Sequence, residues 1–220
     1  MDKKVIDDFH ILWDKEKKWS EISWLGIDMW KFPFDAFIIQ ELIFKIKPDY
    51  IIETGTNFGG STLFYASILE LIGEGTVITI DKEKKEIPFS PTTKYLFDTR
   101  IIKLIGDSIS DEIIKQVYRF VSNKKNLVIL DSWHSKEHEL KELNLYSKLV
   151  PVGSYVIVED THVNGHPISW QYGEGPYEAV QEFLKFNNTF EVDKTCEKLL
   201  ISYNPCGYLK KVFHGEKIYV

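Results

Sequence analysis

From Tyr50 to Val158 the chain repeats one arrangement, a short apolar run rich in Ile and Val followed by a longer stretch with apolar residues at helical spacing. Strands buried on both faces show no polar alternation, and parallel strands need long crossover connections. The pattern therefore predicts a parallel sheet covered by helices on both faces. The predicted strands are Tyr50–Thr54, Thr76–Ile80, Ile101–Ile105, Leu127–Leu130 and Ser154–Val158. Phe190–Val192 and Lys198–Ser202 are expected to add a closing antiparallel pair. Helices are predicted over Phe34–Ile46, Ser61–Ile72, Asp111–Val121, Ser135–Leu149 and Pro176–Phe186, the last opening on a proline suited to a first turn. The fold class is α/β, a doubly wound and mostly parallel sheet, in which ligands sit beyond the carboxyl ends of the strands. Two connections, Lys82–Arg100 with its prolines and Thr161–Gly175, are long enough to be lids or binding loops.

A chain of 220 residues with 44% hydrophobic content supports one substantial core, so residues 36–220 are expected to form one domain preceded by an N-terminal extension over 1–35. The formal charge of −6 speaks against a nucleic-acid partner, which would call for a clustered basic surface. No stretch has the length of a membrane span, and the charged N-terminus lacks a signal-peptide core. Cys196 and Cys206 are too few for a disulfide framework. A soluble, cytoplasmic protein is expected. Trp13, Trp19, Trp24 and Trp30 are expected to cover the sheet or to bury against a second copy in a homo-oligomer.

The first strand ends in "ETGTNFGGS", which puts Gly55, Gly59 and Gly60 in a turn before a helix. Glycine lets a turn tighten and a ligand approach without a Cβ in the way. The spacing is not the G-x-G-x-x-G of a dinucleotide site, where a pyrophosphate meets the helix N-terminus. Glu53 at the turn is a poor neighbour for a pyrophosphate but suits a cationic ligand such as S-adenosylmethionine, with its ammonium and sulfonium. Asp81, at the end of the next strand, is placed to accept both ribose hydroxyls, and "GDS" at Gly106–Ser108 falls where an adenine would lie. Each of these residues, taken singly, is also an ordinary cap or turn former.

"LVILDSWHSKEH" and "YVIVEDTHVNGH" bring Asp131, Glu159 and Asp160 to neighbouring strand ends. Hard oxygen donors without thiolates suit Mg²⁺ better than Zn²⁺, and the same carboxylates also fit caps or salt bridges. His134, three residues past Asp131, is placed to act as a general base. His10 and His214 read as surface residues and His138 as part of a solvated helix face, while His162 and His166 lie in the long loop. A competing reading takes His134, Glu137 and His138 as the H-x-x-E-H motif of a zinc-dependent hydrolase. An NAD-binding oxidoreductase and a non-enzymatic nucleotide sensor are further alternatives on this fold.

The segments "WLGIDMWKFPFD", "KPDYIIETGTNFGGS", "VILDSWHSKEHELKELNLYSKLVPVGSYVIVEDT" and "VNGHPISWQYGEGPYEAVQEFL" resemble the cephalosporin hydroxylase family. That family is similar to S-adenosylmethionine-dependent methyltransferases of Rossmann-like fold, and to Mg²⁺-dependent macrolide-sugar O-methyltransferases. The resemblance implies that Glu53, Gly55, Thr56, Gly59, Gly60 and Ser61 line the methionine end of the cofactor site. It further implies that Asp81 holds the ribose, that Asp107 and Ser108 flank the adenine, and that Asp131 lies beside the cofactor. Asp131, Glu159 and Asp160 would bind Mg²⁺, and His134 would be the base. Trp170 and Tyr172 would wall an acceptor, expected to be a saccharide or another small polar molecule carrying a hydroxyl.

Overall fold

The computed structural model describes residues 2–213. His214, expected at the surface, lies outside them. A seven-stranded sheet forms the centre, with β3 (Tyr50–Thr54), β4 (Thr76–Asp81), β5 (Ile101–Ile105), β6 (Asn126–Leu130), β7 (Tyr155–Val158), β8 (Phe190–Val192) and β9 (Tyr208–Lys211) in the order β5-β4-β3-β6-β7-β9-β8. The first five of that order run parallel, and β9 is antiparallel to both its neighbours. The order reverses between β3 and β6, which opens a crevice at their carboxyl ends.

Successive strand residues point to opposite faces, and the core divides accordingly. Ile51, Leu127, Ile129 and Ile157 pack on one side with α2 (Pro33–Ile46) and α3 (Gly60–Ile72). Ile52, Val128, Leu130, Val156 and Val158 pack on the other with α5 (Asp111–Val121), α6 (Lys136–Tyr146) and α7 (Pro176–Phe186). Ser110 and Ser135 cap α5 and α6 by accepting a hydrogen bond from a first-turn amide.

Two helices were not expected. α4 (Pro91–Arg100) lies inside the segment read as a loop, started by a capping box between Ser90 and Thr93 with Pro91 in the first turn. It buries only Thr93 and Leu96, so its sequence carries almost no apolar period. α1 (Lys3–Lys15) does carry apolar residues at helical spacing, Val5, Ile6, Phe9, Leu12 and Trp13, although His10 is its one buried residue. The four N-terminal tryptophans are packed within this chain: Trp13 edge-on to Phe32, Trp19 to Trp30 and Trp24 to Phe64. A short hairpin of β1 (Ser23–Trp24) and β2 (Ile27–Asp28) links α1 to α2. None of the described helices is long and apolar enough to cross a membrane.

The closing pair uses β9 in place of Lys198–Ser202. Asp35, the last residue of the expected extension, explains the difference. Buried in the first turn of α2, it accepts hydrogen bonds from the Ser202 hydroxyl at 2.6 Å, the Tyr203 amide at 2.7 Å and the Tyr208 hydroxyl at 2.8 Å. Those bonds draw the segment off the sheet, while Ile201 and Tyr203 join Phe32 in a separate apolar cluster. Burial, opposed by these donors, pushes the Asp35 carboxyl from 3.8 up to about 6. A raised folded-state pKa means that its contribution to stability is complete below the ordinary carboxyl value and is lost as pH rises through about 6. Asp35→Asn cannot titrate, and its unfolding free energy should therefore vary less than that of the wild type between about pH 4 and 7. Superimposable slopes in urea titrations across that range would contradict this assignment.

Candidate active site

The crevice at the carboxyl edge is a single cleft of about 720 Å³, within the range of small-molecule sites. Gly55, Thr56, Gly60, Ser61, Asp81 and Ser108 line one part, and Asp131, His134 and Asp160 line another.

The glycines turn out to serve the protein's own backbone. Gly55 has φ +89°, and a Cβ there would stand 1.8 Å from the carbonyl oxygen of Asp131. A Cβ on Gly60 would stand 2.3 Å from the carbonyl oxygen of Asp28, so this glycine lets the hairpin that precedes α2 lie across the start of α3. Gly59 is outside the cleft lining, with Ile87 of the Lys82–Ser90 segment folded over it.

Glu53 does not face the cleft. It is 0% exposed, and its two oxygens accept from the hydroxyls of Ser61, Thr62 and Thr79. Burial raises its pKa and these donors oppose the rise. Its partner Ser61 does line the cleft. Asp81 stands at the cleft with Oδ2 accepting from the Asn57 amide at 2.8 Å and Oδ1 from the Glu83 amide at 3.0 Å, which fixes the carboxylate's orientation. Asp107 is off the cleft lining, 3.0 Å from the Lys82 ammonium, while Ser108 lies on it.

At the other end, one ligand atom each from Asp131, His134 and Asp160 lies within 4.8 Å of the others. His134 Nε2 is 3.2 Å from Asp160 Oδ2 and 3.8 Å from Asp131 Oδ1, and its buried Nδ1 has no partner among the described residues. Burial alone would raise the Asp160 carboxyl, but His134, His162 and Lys31 outweigh it and hold the group well below the ordinary range. Glu159, expected beside these two aspartates, falls outside that cluster. Its Oε2 accepts from Lys31, whose ammonium also donates to Asp131 Oδ2 at 2.9 Å, and its buried Oε1 has no partner among the described residues. Burial works against the Lys31 charge, yet Asp131 and Glu159 keep its pKa well above that of a free lysine. The two aspartates suit a hard divalent cation, and the unmatched Glu159 oxygen leaves room for a third carboxylate donor, with the imidazole beside them left available for proton transfer.

Sequence reasoning passed over Lys31, which lies in a stretch that otherwise reads as loop. Trp30 has φ +40° and lines the cleft, while Lys31 next to it is buried, before Pro33 begins α2. His10 and His138 also differ from expectation. His10 is buried and hydrogen-bonded to His162 at 2.8 Å, and His162 in turn reaches Asp160 Oδ1 at 3.5 Å. His138 Nε2 contacts the Ser108 hydroxyl at 3.2 Å and lies 3.5 Å from the buried Glu142, so it is not a solvated residue. His134 precedes the start of α6 and faces the aspartates, and Glu137 is exposed and paired with Lys141. His134, Glu137 and His138 therefore do not converge, which removes the zinc hydrolase reading. Tyr172 lines the cleft with Trp133 and Trp30, whereas Trp170 is 75% exposed and off the lining. His166 is also off it, paired with Glu178.

A family model described as Rhamnosyl O-methyltransferase/CmcI matches residues 16–212. The chain belongs to that family. The resemblance to cephalosporin hydroxylases read from the sequence agrees with this, and membership makes the chain an O-methyltransferase by class. The rhamnosyl O-methyltransferase of Mycobacterium tuberculosis is 32% identical over 210 residues, covering 93% of this chain and 84% of the relative. That of Mycobacterium leprae is 31% identical over 198 residues, covering 88% and 84%. Among solved structures, CmcI without ligand superposes with a TM-score of 0.67 at 20% identity, over 89% of this chain and 78% of that one. CmcI with Mg and SAM superposes at 0.65 and 19% identity, over 88% and 78%. These superpositions establish the shared Rossmann-like fold.

Two glycines of similar dihedral test whether the turn depends on close backbone packing. Gly153, with φ +88° and open space where a Cβ would stand, should lose only the left-handed penalty of about 1–2 kcal/mol on replacement by alanine. Gly55→Ala adds a clash with backbone and should cost more than about 3 kcal/mol in urea unfolding. Equal losses would contradict the packing role.

Proposed function

We propose that this chain transfers the methyl group of S-adenosylmethionine to a hydroxyl of a sugar, in a reaction that depends on Mg²⁺ or a similar divalent cation. The observation that carries the reading is the shared cleft, which has the glycine turn and Asp81 in one part and Asp131, His134 and Asp160 in another. The sugar acceptor is carried over from the rhamnosyl O-methyltransferases, and the cofactor and cation from CmcI with Mg and SAM. The aromatic walls Trp30, Trp133 and Tyr172 support a saccharide, since they offer flat apolar surface to the C–H faces of a sugar ring.

In the proposed reaction the acceptor oxygen forms a bond to the methyl carbon as the carbon–sulfur bond breaks, leaving S-adenosylhomocysteine. The donor supplies an electrophilic methyl group on a sulfonium. The cation, held by Asp131 and Asp160 with Glu159 as the further donor, would lower the pKa of the acceptor hydroxyl. Asp81 would bind the ribose of the donor, and Ser108 would face the adenine. The Thr56 and Ser61 side of the turn holds the methionine portion. His134, whose Nε2 stands 3.2 Å from Asp160 Oδ2 at the acidic end of the cleft, accepts the acceptor's proton as general base. The methyltransferase domain begins at residue 36 in this reading, and Asp28 at the end of the hairpin and Trp30 after it add part of the cleft wall. A reducing, cytoplasmic setting belongs to the same proposal, supported by two unpaired cysteines.

Exhaustive chelation should abolish turnover on a rhamnosyl acceptor while calorimetry still detects S-adenosylmethionine binding. Full activity after metal removal would refute the cation's role. His134→Ala should reduce kcat by about 10²–10⁴-fold with little change in donor affinity, in keeping with loss of a general base. An unchanged kcat would exclude His134 from proton transfer.

A further inference from the structure

Lys31 presents an unusual arrangement: its side chain is 1% exposed and its one ammonium bridges two carboxylates from different strands. Asp131 follows β6 and Glu159 follows β7, and the bridging lysine comes from the segment entering α2. The site thus contains its own cation. Asp131 and Glu159 lie side by side although like charges repel at short range, and Lys31 is the group that makes this tolerable. Glu159 pairs with Lys31 and stands outside the cluster formed by Asp131, His134 and Asp160.

We propose that Lys31 is the resident counter-ion of this acidic site: it occupies Asp131 and Glu159 while no divalent cation is bound, and it opposes the cation's binding. The inference rests on the reading that these carboxylates receive a metal. It goes further in assigning to one lysine the control of how tightly the metal is held. A second cation arriving at Asp131 or Glu159 meets a fixed positive charge in direct contact with both, in surroundings that screen it poorly. The burial of Lys31 prevents its charge from simply turning out to solvent. Fully buried ion pairs are costly to break from one side, so a metal-free site lacking Lys31 would hold uncompensated carboxylates. The arrangement predicts a protein whose fold is kept without metal, at the cost of weaker metal binding.

The test uses the full chain without methyl donor or acceptor, Mn²⁺ as the probe, and both calorimetry and thermal melting. Lys31→Met should bind Mn²⁺ roughly tenfold or more tightly than the wild type, because the opposing charge is gone. Its metal-free melting temperature should fall, and added Mn²⁺ should raise it by more than in the wild type. Lys31→Gln, which keeps a donor but no charge, should behave in the same direction and serves if the methionine variant does not fold. Metal binding that is unchanged or weaker in both variants would overturn the proposal and mark Lys31 as a support of the metal site. A wild-type crystal soaked in Mn²⁺ gives an independent readout. Lys31 should withdraw from Glu159, and Mn²⁺ bound with that ion pair intact would also overturn the proposal. Failure of wild type and variants alike to bind Mn²⁺ would overturn both this inference and the metal-dependent reaction it rests on, which separates the two failures.

Discussion

Asp131, Glu159 and Asp160 crowd three carboxylates onto the carboxyl ends of two adjacent parallel strands, and their compensation organises the surrounding structure. Lys31 answers two of them from the segment before α2, and His134 and His162 face the third. The N-terminal segment is thereby tied into the site. His10, on α1, extends the same network outward by holding His162. Acidic groups brought together this closely favour whatever positive charge is supplied to them, which is the physical basis for a cation at this position.

The glycine turn plays a complementary part. The absence of a Cβ at Gly55 lets the turn after β3 close against the backbone at Asp131, and the absence of one at Gly60 lets Asp28 lie over the start of α3. The first contact draws the glycine-turn part of the cleft up to the acidic part. The second brings Trp30 to the cleft wall and Lys31 to the carboxylates. Glu53 braces the turn from below through three hydroxyls, so the turn's shape is set by the protein before any ligand arrives. Such preorganisation is what in-line group transfer requires, because misplaced reactants lose rate steeply.

Much of this was legible in the sequence because parallel strands buried on both faces leave continuous apolar runs. β3 and β5 lie where those runs place them, β4, β6 and β7 differ by one residue at an end, and the short antiparallel edge strand β8 also falls where expected. The segments that were not legible are those whose order comes from polar contacts. Lys198–Ser202 reads as a strand, but Asp35 captures its end by hydrogen bonds that no periodicity reveals. α4 rests on a serine cap and a proline, with too few buried residues to produce a pattern. In the site, the strand-end carboxylates could be named from position alone. The direction in which each side chain points could not, and so Glu53 turned inward and Glu159 turned to a lysine that sequence spacing gives no reason to select.

Methyl transfer of the proposed kind requires the donor and the cation to share one cleft at close quarters. Paramagnetic relaxation offers the most direct test, using S-adenosylmethionine labelled at its transferable methyl group and bound to the protein while Mn²⁺ is titrated in. Strong broadening of the methyl resonance, reversed when Mg²⁺ displaces Mn²⁺, is the predicted result. A methyl signal that stays sharp while both ligands are demonstrably bound would place them apart and contradict the shared site.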